Sequence, residues 1–148
     1  MNTHPYLRAY MAGIFAPSVA LLIALTGFIV THLVLHIPIP VERVIIFPMA
    51  VVPNAFGIWN MLYVWSRPHQ NLPIGVYGAL LPLILVPLGA IGAICGGFVT
   101  LGAQNFTLFH AISVPYFVVV PQLFVAVAIY YLVWKYIVGF LNQVVGIA

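Results

Sequence analysis

Charge is what this chain lacks. Of its 148 residues, four are Lys or Arg and one is acidic, so charged residues make up 3% of the chain. Soluble domains carry roughly 25%, because their surfaces face water. Four cations and Glu42 cannot cover a soluble globule of this length, and a hydrocarbon solvent is implied for most of the chain. A lone acidic side chain also excludes acid–base chemistry by paired carboxylates. A lone cysteine, Cys95, excludes an intramolecular disulfide; it lies in an apolar run and reads as a small buried hydrophobe. The basic pI near 9.3 rests on Arg8, Arg43, Arg67 and Lys135, which are scattered, so no nucleic-acid surface follows from it. There is no phosphate-binding loop, no CxxC and no GxSxG. Nothing in the sequence marks an enzyme or requires a cofactor.

What is present is apolar: 65% hydrophobic residues and a mean hydropathy of +1.21. Four runs, at about 10–34, 44–65, 74–99 and 111–134, each supply the ~20 residues that cross a bilayer. The expected fold is all-α and polytopic. It is one domain over 1–148, a compact bundle of four transmembrane helices whose short connections make sequential helices antiparallel. Residues beyond 134 either continue the fourth helix or lie along the interface. The first apolar run reaches about His32, longer than the ~7–15-residue core of a signal peptide, and reads as a retained span.

Loop cations set the orientation. Arg8, Arg67 and Lys135 share one side, while Arg43 on the other side is offset by Glu42. Both termini are therefore expected in the cytoplasm, in a membrane of the bacterial inner (plasma) type. The halves also align through their prolines. Gly13, Pro17 and Gly27 match Gly78, Pro82 and Gly92. Pro53, Phe56, Tyr63 and Arg67 match Pro121, Phe124, Tyr131 and Lys135. The shift is nearly constant, which suggests a two-plus-two parallel repeat.

Prolines and amides within the spans carry the candidate site. Pro53, Pro87 and Pro121 fall near the centres of their runs, where a proline removes one backbone hydrogen bond and strains the carbonyl four residues back. In lipid such a carbonyl needs a donor. Asn54 and Gln122 directly follow two of these prolines and offer their carboxamides. Pro53, Phe56, Asn60 and Tyr63 share one helical face, which must point inward because Asn60 has no partner in lipid. Pro53, Asn54, Asn60, Tyr63 and Gln122 are thus the candidate residues of a kinked polar layer at mid-membrane, suited to a neutral or hydrophobic ligand. The same amides can equally serve as helix-to-helix glue.

Two further groups stand out. Gly89, Ala93 and Gly97, with Gly92 and Gly96 beside them, form a small-residue stripe that suits close helix packing, in the bundle or in a homo-oligomer or larger complex. His32 and His36 lie four residues apart, and His110 is expected at the same membrane side. Together they are candidate ligands for a transition metal or haem, although acidic second partners are scarce.

The run Phe56, Gly57, Ile58, Trp59, Asn60, Met61, Leu62, Tyr63 resembles the aromatic stretch in the second helix of the tryptophan-rich sensory (translocator) protein family. It covers eight residues of the 148, with a Phe-Gly to Trp spacing one residue shorter and four spans in place of that family's five. The resemblance implies a pocket for planar hydrophobic ligands such as porphyrins. Three function classes remain open: transport or binding of a neutral hydrophobic ligand, an accessory subunit of a membrane complex, or a histidine-ligated redox protein.

Overall fold

Helices dominate because a helix satisfies the backbone polar groups of an apolar segment within that segment alone. The structure, a computed structural model, describes residues 4–36, 47–69, 71–108 and 112–147. Helix α1 spans Pro5–Leu33, α2 Phe47–Ser66 and α3 Ile74–Cys95. A three-stranded antiparallel sheet follows: β1 (Val99–Leu101), β2 (Asn105–Leu108) and β3 (Ile112–Pro115). A 3-10 turn at Tyr116–Val118 then leads into α4 (Val119–Leu132), a π-helical stretch (Val133–Val138) and α5 (Gly139–Val144).

Three of these stretches are long and apolar enough to cross a membrane: Pro5–Leu33, Ile74–Cys95 and the continuous helical run Tyr116–Val144. Their surfaces are apolar too; Phe117 is 77% exposed, Phe124 71% and Ile23 69%, which suits a lipid solvent and not water. Helix α2 is not among the three. Pro53, Asn54, Asn60 and Trp59 dilute its hydropathy, and its expected first residues, 44–46, lie outside the described segments along with Glu42 and Arg43.

The last two expected spans differ from the helices found. Helix α3 stops at Cys95, where Gly96 and Gly97 follow; Gly97 takes φ +71°, a conformation glycine adopts at no steric penalty. Cys95 is exposed, not buried. The final helix starts at Tyr116 and runs through Lys135 to Val144. Pro121 consequently lies in the first turn of α4, where a missing N–H is harmless, and not at a helix centre. Lys135 lies inside the helix, exposed, with its ammonium 5.2 Å from the Tyr136 ring centroid. Twenty-nine residues at about 1.5 Å each span roughly 43 Å, more than the ~30 Å hydrocarbon core. A crossing that began at Tyr116 would reach the far boundary close to Lys135.

The chain divides into two compact units: Met1–Leu72 with Lys135–Ala148, and Pro73–Trp134. In the first, α1 and α2 run antiparallel. They come close where Gly13 meets α2: a Cβ there would stand 2.6 Å from the Phe56 carbonyl oxygen and 2.9 Å from the Gly57 Cα. Ser18, Thr26 and Thr31 turn their hydroxyls onto carbonyls four residues back in α1, so each polar side chain is satisfied within its own helix. In the second unit, α3 and α4 run antiparallel. The indole of the fully buried Trp134 lies over Gly78, in space that any side chain at 78 would occupy.

Candidate functional site

The sequence candidates resolve into two distinct environments. In the first unit the centre is a pair of amides. Asn60 is fully buried and Asn142 is 2% exposed. The Asn60 Nδ2 donates to Asn142 Oδ1 at 2.8 Å, and Asn142 Nδ2 donates back to Asn60 Oδ1 at 3.0 Å. Asn60 Nδ2 also donates to the Ala9 carbonyl of α1 at 2.8 Å. One carboxamide thus ties α2 to both α1 and α5. Close by, the Arg8 guanidinium donates to the Val145 carbonyl at 3.3 Å and that of Arg67 to the Ile147 carbonyl at 3.2 Å. Helix C-termini leave carbonyls unsatisfied and carry partial negative charge, so both arginines are favourably placed. The amide pair therefore sits within two turns of an arginine-marked end and not at mid-helix. Asn142 was not a sequence candidate. A lone Asn-Gln step in an apolar tail was the available signal, but its partner lies 82 positions away.

Asn54, nearer the middle of α2, is exposed. It accepts from the Tyr10 hydroxyl and donates to the Ala50 carbonyl at 2.6 Å, one residue along from the Met49 carbonyl expected to need it. Pro53 is half-buried on the same helix, as is Tyr63, whose carbonyl accepts from the Ser66 hydroxyl at 3.2 Å.

The second unit holds the cavity. Its volume is about 570 Å³, inside the ~300–1,000 Å³ range of small-molecule pockets. One wall is α3, where Val86, Gly89, Ala90, Ala93 and Ile94 present small or aliphatic groups. Gly89 and Ala93 of the predicted stripe therefore line the cavity. A Cβ at Gly89 or Gly92 would meet nothing within 4 Å, while Gly96 backs onto Phe98. The second wall is the start of α4, with Val119, Gln122, Leu123 and Ala126. Gln122 lies less than two turns from Tyr116, near the sheet.

The sheet forms the third wall, and alternation explains how. Thr100 pairs with Thr107, and Thr107 with Ser113, so three hydroxyl residues share one face. Val99, Leu101, Phe106 and Leu108 take the other and line the cavity. Tyr116 locks the corner. Its hydroxyl donates to the Gly102 carbonyl at 2.9 Å, its N–H donates to the Gln104 carbonyl at 3.2 Å, and its ring lies 5.9 Å from that of Phe106. The lining carries no charged side chain.

The histidine set is not assembled as expected. Helix α1 ends at Leu33, and His36 takes φ +52° beyond it, so His32 and His36 do not share a helical face. His110 lies outside the described residues. Among the described residues no three His, Cys, Asp or Glu side chains gather as metal ligands do.

Comparison with protein-family models, with curated proteins and with solved structures finds no match to this chain. The likeness of 56–63 to the translocator family is therefore not extended to the whole chain.

Proposed function

We propose that this chain is an integral membrane protein that binds, and in doing so transports or presents, a hydrophobic uncharged molecule within the bilayer. The observation that carries this reading is the 570 Å³ cavity, walled by aliphatic and small residues with no charge. An ion or a phosphate would have to shed its water there without a counter-charge, at several kcal/mol by even a modest accounting. A neutral apolar molecule meets no such penalty.

In this reading α2 is a fourth span. Both termini lie on the cytoplasmic side of an inner-membrane-type bilayer. The anchoring of Arg8 on the Val145 carbonyl and of Arg67 on the Ile147 carbonyl supports a shared side for the N-terminus, the second connection and the C-terminus. The two helix pairs, each antiparallel with a glycine at its close contact (Gly13 and Gly78), fit a two-plus-two duplication.

A Gly89→Phe variant fills the cavity and tests the reading. Wild-type protein purified in mild detergent is expected to carry one small molecule enriched over the bulk lipid extract, read by mass spectrometry. The variant is expected to lose it. Equal enrichment in both, or none in the wild type, overturns the proposal. A second reading, an accessory subunit of a membrane complex or homo-oligomer, is favoured by the open space beside Gly92, where a partner helix backbone fits. Loss of assembly in Gly92→Leu, with ligand retained, would select it.

A further inference from the structure

The cavity's polar groups narrow what it accepts. Two side chains in the lining can form strong hydrogen bonds, Tyr116 and Gln122. The Tyr116 hydroxyl is committed to the Gly102 carbonyl. The Gln122 side chain forms no hydrogen bond among the described residues. Gln122 is exposed beside this aliphatic surface, so its carboxamide offers a donor and an acceptor to a molecule in the cavity.

Resting on the reading above, we infer that Gln122 receives the hydroxyl group of a lipid-soluble alcohol whose apolar body fills the cavity between α3, α4 and the sheet. A hydroxyl both donates and accepts, so it can engage the amide oxygen and the amide nitrogen together. A ketone would leave the oxygen unused, and a plain hydrocarbon would leave both. A carboxylate or phosphate head would find no cation in the lining. The small residues Gly89, Ala90 and Ala93 face the apolar body and keep that wall flat enough for a chain or fused ring.

The test uses the full chain in lipid nanodiscs and three photoreactive probes of one length: a long-chain alcohol carrying a mid-chain diazirine, the matching alkane, and the matching carboxylate. Labelling of α3 and α4 peptides is read by mass spectrometry, with unlabelled alcohol as competitor. The alcohol is expected to label both helices saturably, and the alkane roughly tenfold more weakly, the worth of a hydrogen bond in an apolar site. Gln122→Leu, at an exposed position, should bring the alcohol-to-alkane ratio close to one while labelling itself persists. Saturable but equal labelling by alcohol and alkane in the wild type overturns the hydroxyl assignment and leaves the hydrophobic site standing. Carboxylate labelling as strong as that of the alcohol overturns neutrality. Absence of saturable labelling by every probe removes the cavity reading as well.

Discussion

Replacing Asn60 should cost more than its hydrogen bonds are worth, and replacing Asn142 as well should recover most of the loss. The pair makes two reciprocal bonds, and Asn60 makes a third to the Ala9 carbonyl. Interhelical bonds of this kind average about 0.6 kcal/mol in membrane proteins, so the three together come to roughly 2 kcal/mol. Asn60→Leu loses all three and leaves the buried Asn142 amide without its partner, a further penalty of about 1–3 kcal/mol. The single variant is therefore expected to lose roughly 3–5 kcal/mol. Asn142→Leu spares the bond to Ala9 but strands the Asn60 oxygen, and should lose roughly 2–4 kcal/mol on the same reckoning. The double variant strands nothing and buries two aliphatic side chains; its loss should stay near 2 kcal/mol or below. Equilibrium unfolding of all four proteins in mixed micelles gives the coupling directly. Additive single losses, with the double variant at their sum, would refute the account of a mutually dependent pair.

Other positions give sharper single outcomes. Gly78→Val puts a side chain where the Trp134 indole lies, and should abolish the monodisperse peak in size-exclusion chromatography, whereas Gly27→Val, which meets nothing within 4 Å, should leave it unchanged. Tyr116→Phe removes the bond to the Gly102 carbonyl; it should destabilise the sheet by about 1 kcal/mol and raise amide exchange at 99–108, with the helices unaffected. With the termini cytoplasmic, the exposed Cys95 at the far end of α3 should react with a membrane-impermeant maleimide added to intact spheroplasts. Labelling only after lysis reverses the proposed orientation.

The sequence was most legible where one physical force dominated. Long apolar runs with scarcely a charge dictate helices: α1 and α2 end within a residue of their expected ends and α3 starts at its expected residue. Helix α1 starts five residues earlier than expected, and α3 stops early at Gly96 and Gly97. Asn60 had to face inward, since an amide has no partner in hydrocarbon, and it does. Its partner was not legible, because pairing across 82 positions leaves no local trace. The sheet was missed for a related reason. The residues Thr100, Leu101, Phe106, Thr107 and Leu108 alternate polar and apolar, but in three- and four-residue strands the pattern is too short to outweigh the surrounding helical signal. Without it the last helix was expected to start too early, which put Pro121 and Gln122 at mid-helix; Pro121 lies instead in the first turn of α4 and Gln122 lines the cavity.

The hairpin pairing has a consequence for what the cavity can hold. Because side chains alternate strictly along a strand, the chemistry of the third wall is a matter of parity. Shifting β2 by a single residue would turn Thr107 and its neighbours inward and Phe106 and Leu108 outward, converting an oily wall into a hydroxylated one with no substitution at all. The three-residue turn between Leu101 and Asn105 fixes the count. Length change there, even by one glycine, would alter the chemistry of that wall more deeply than most single replacements in the lining.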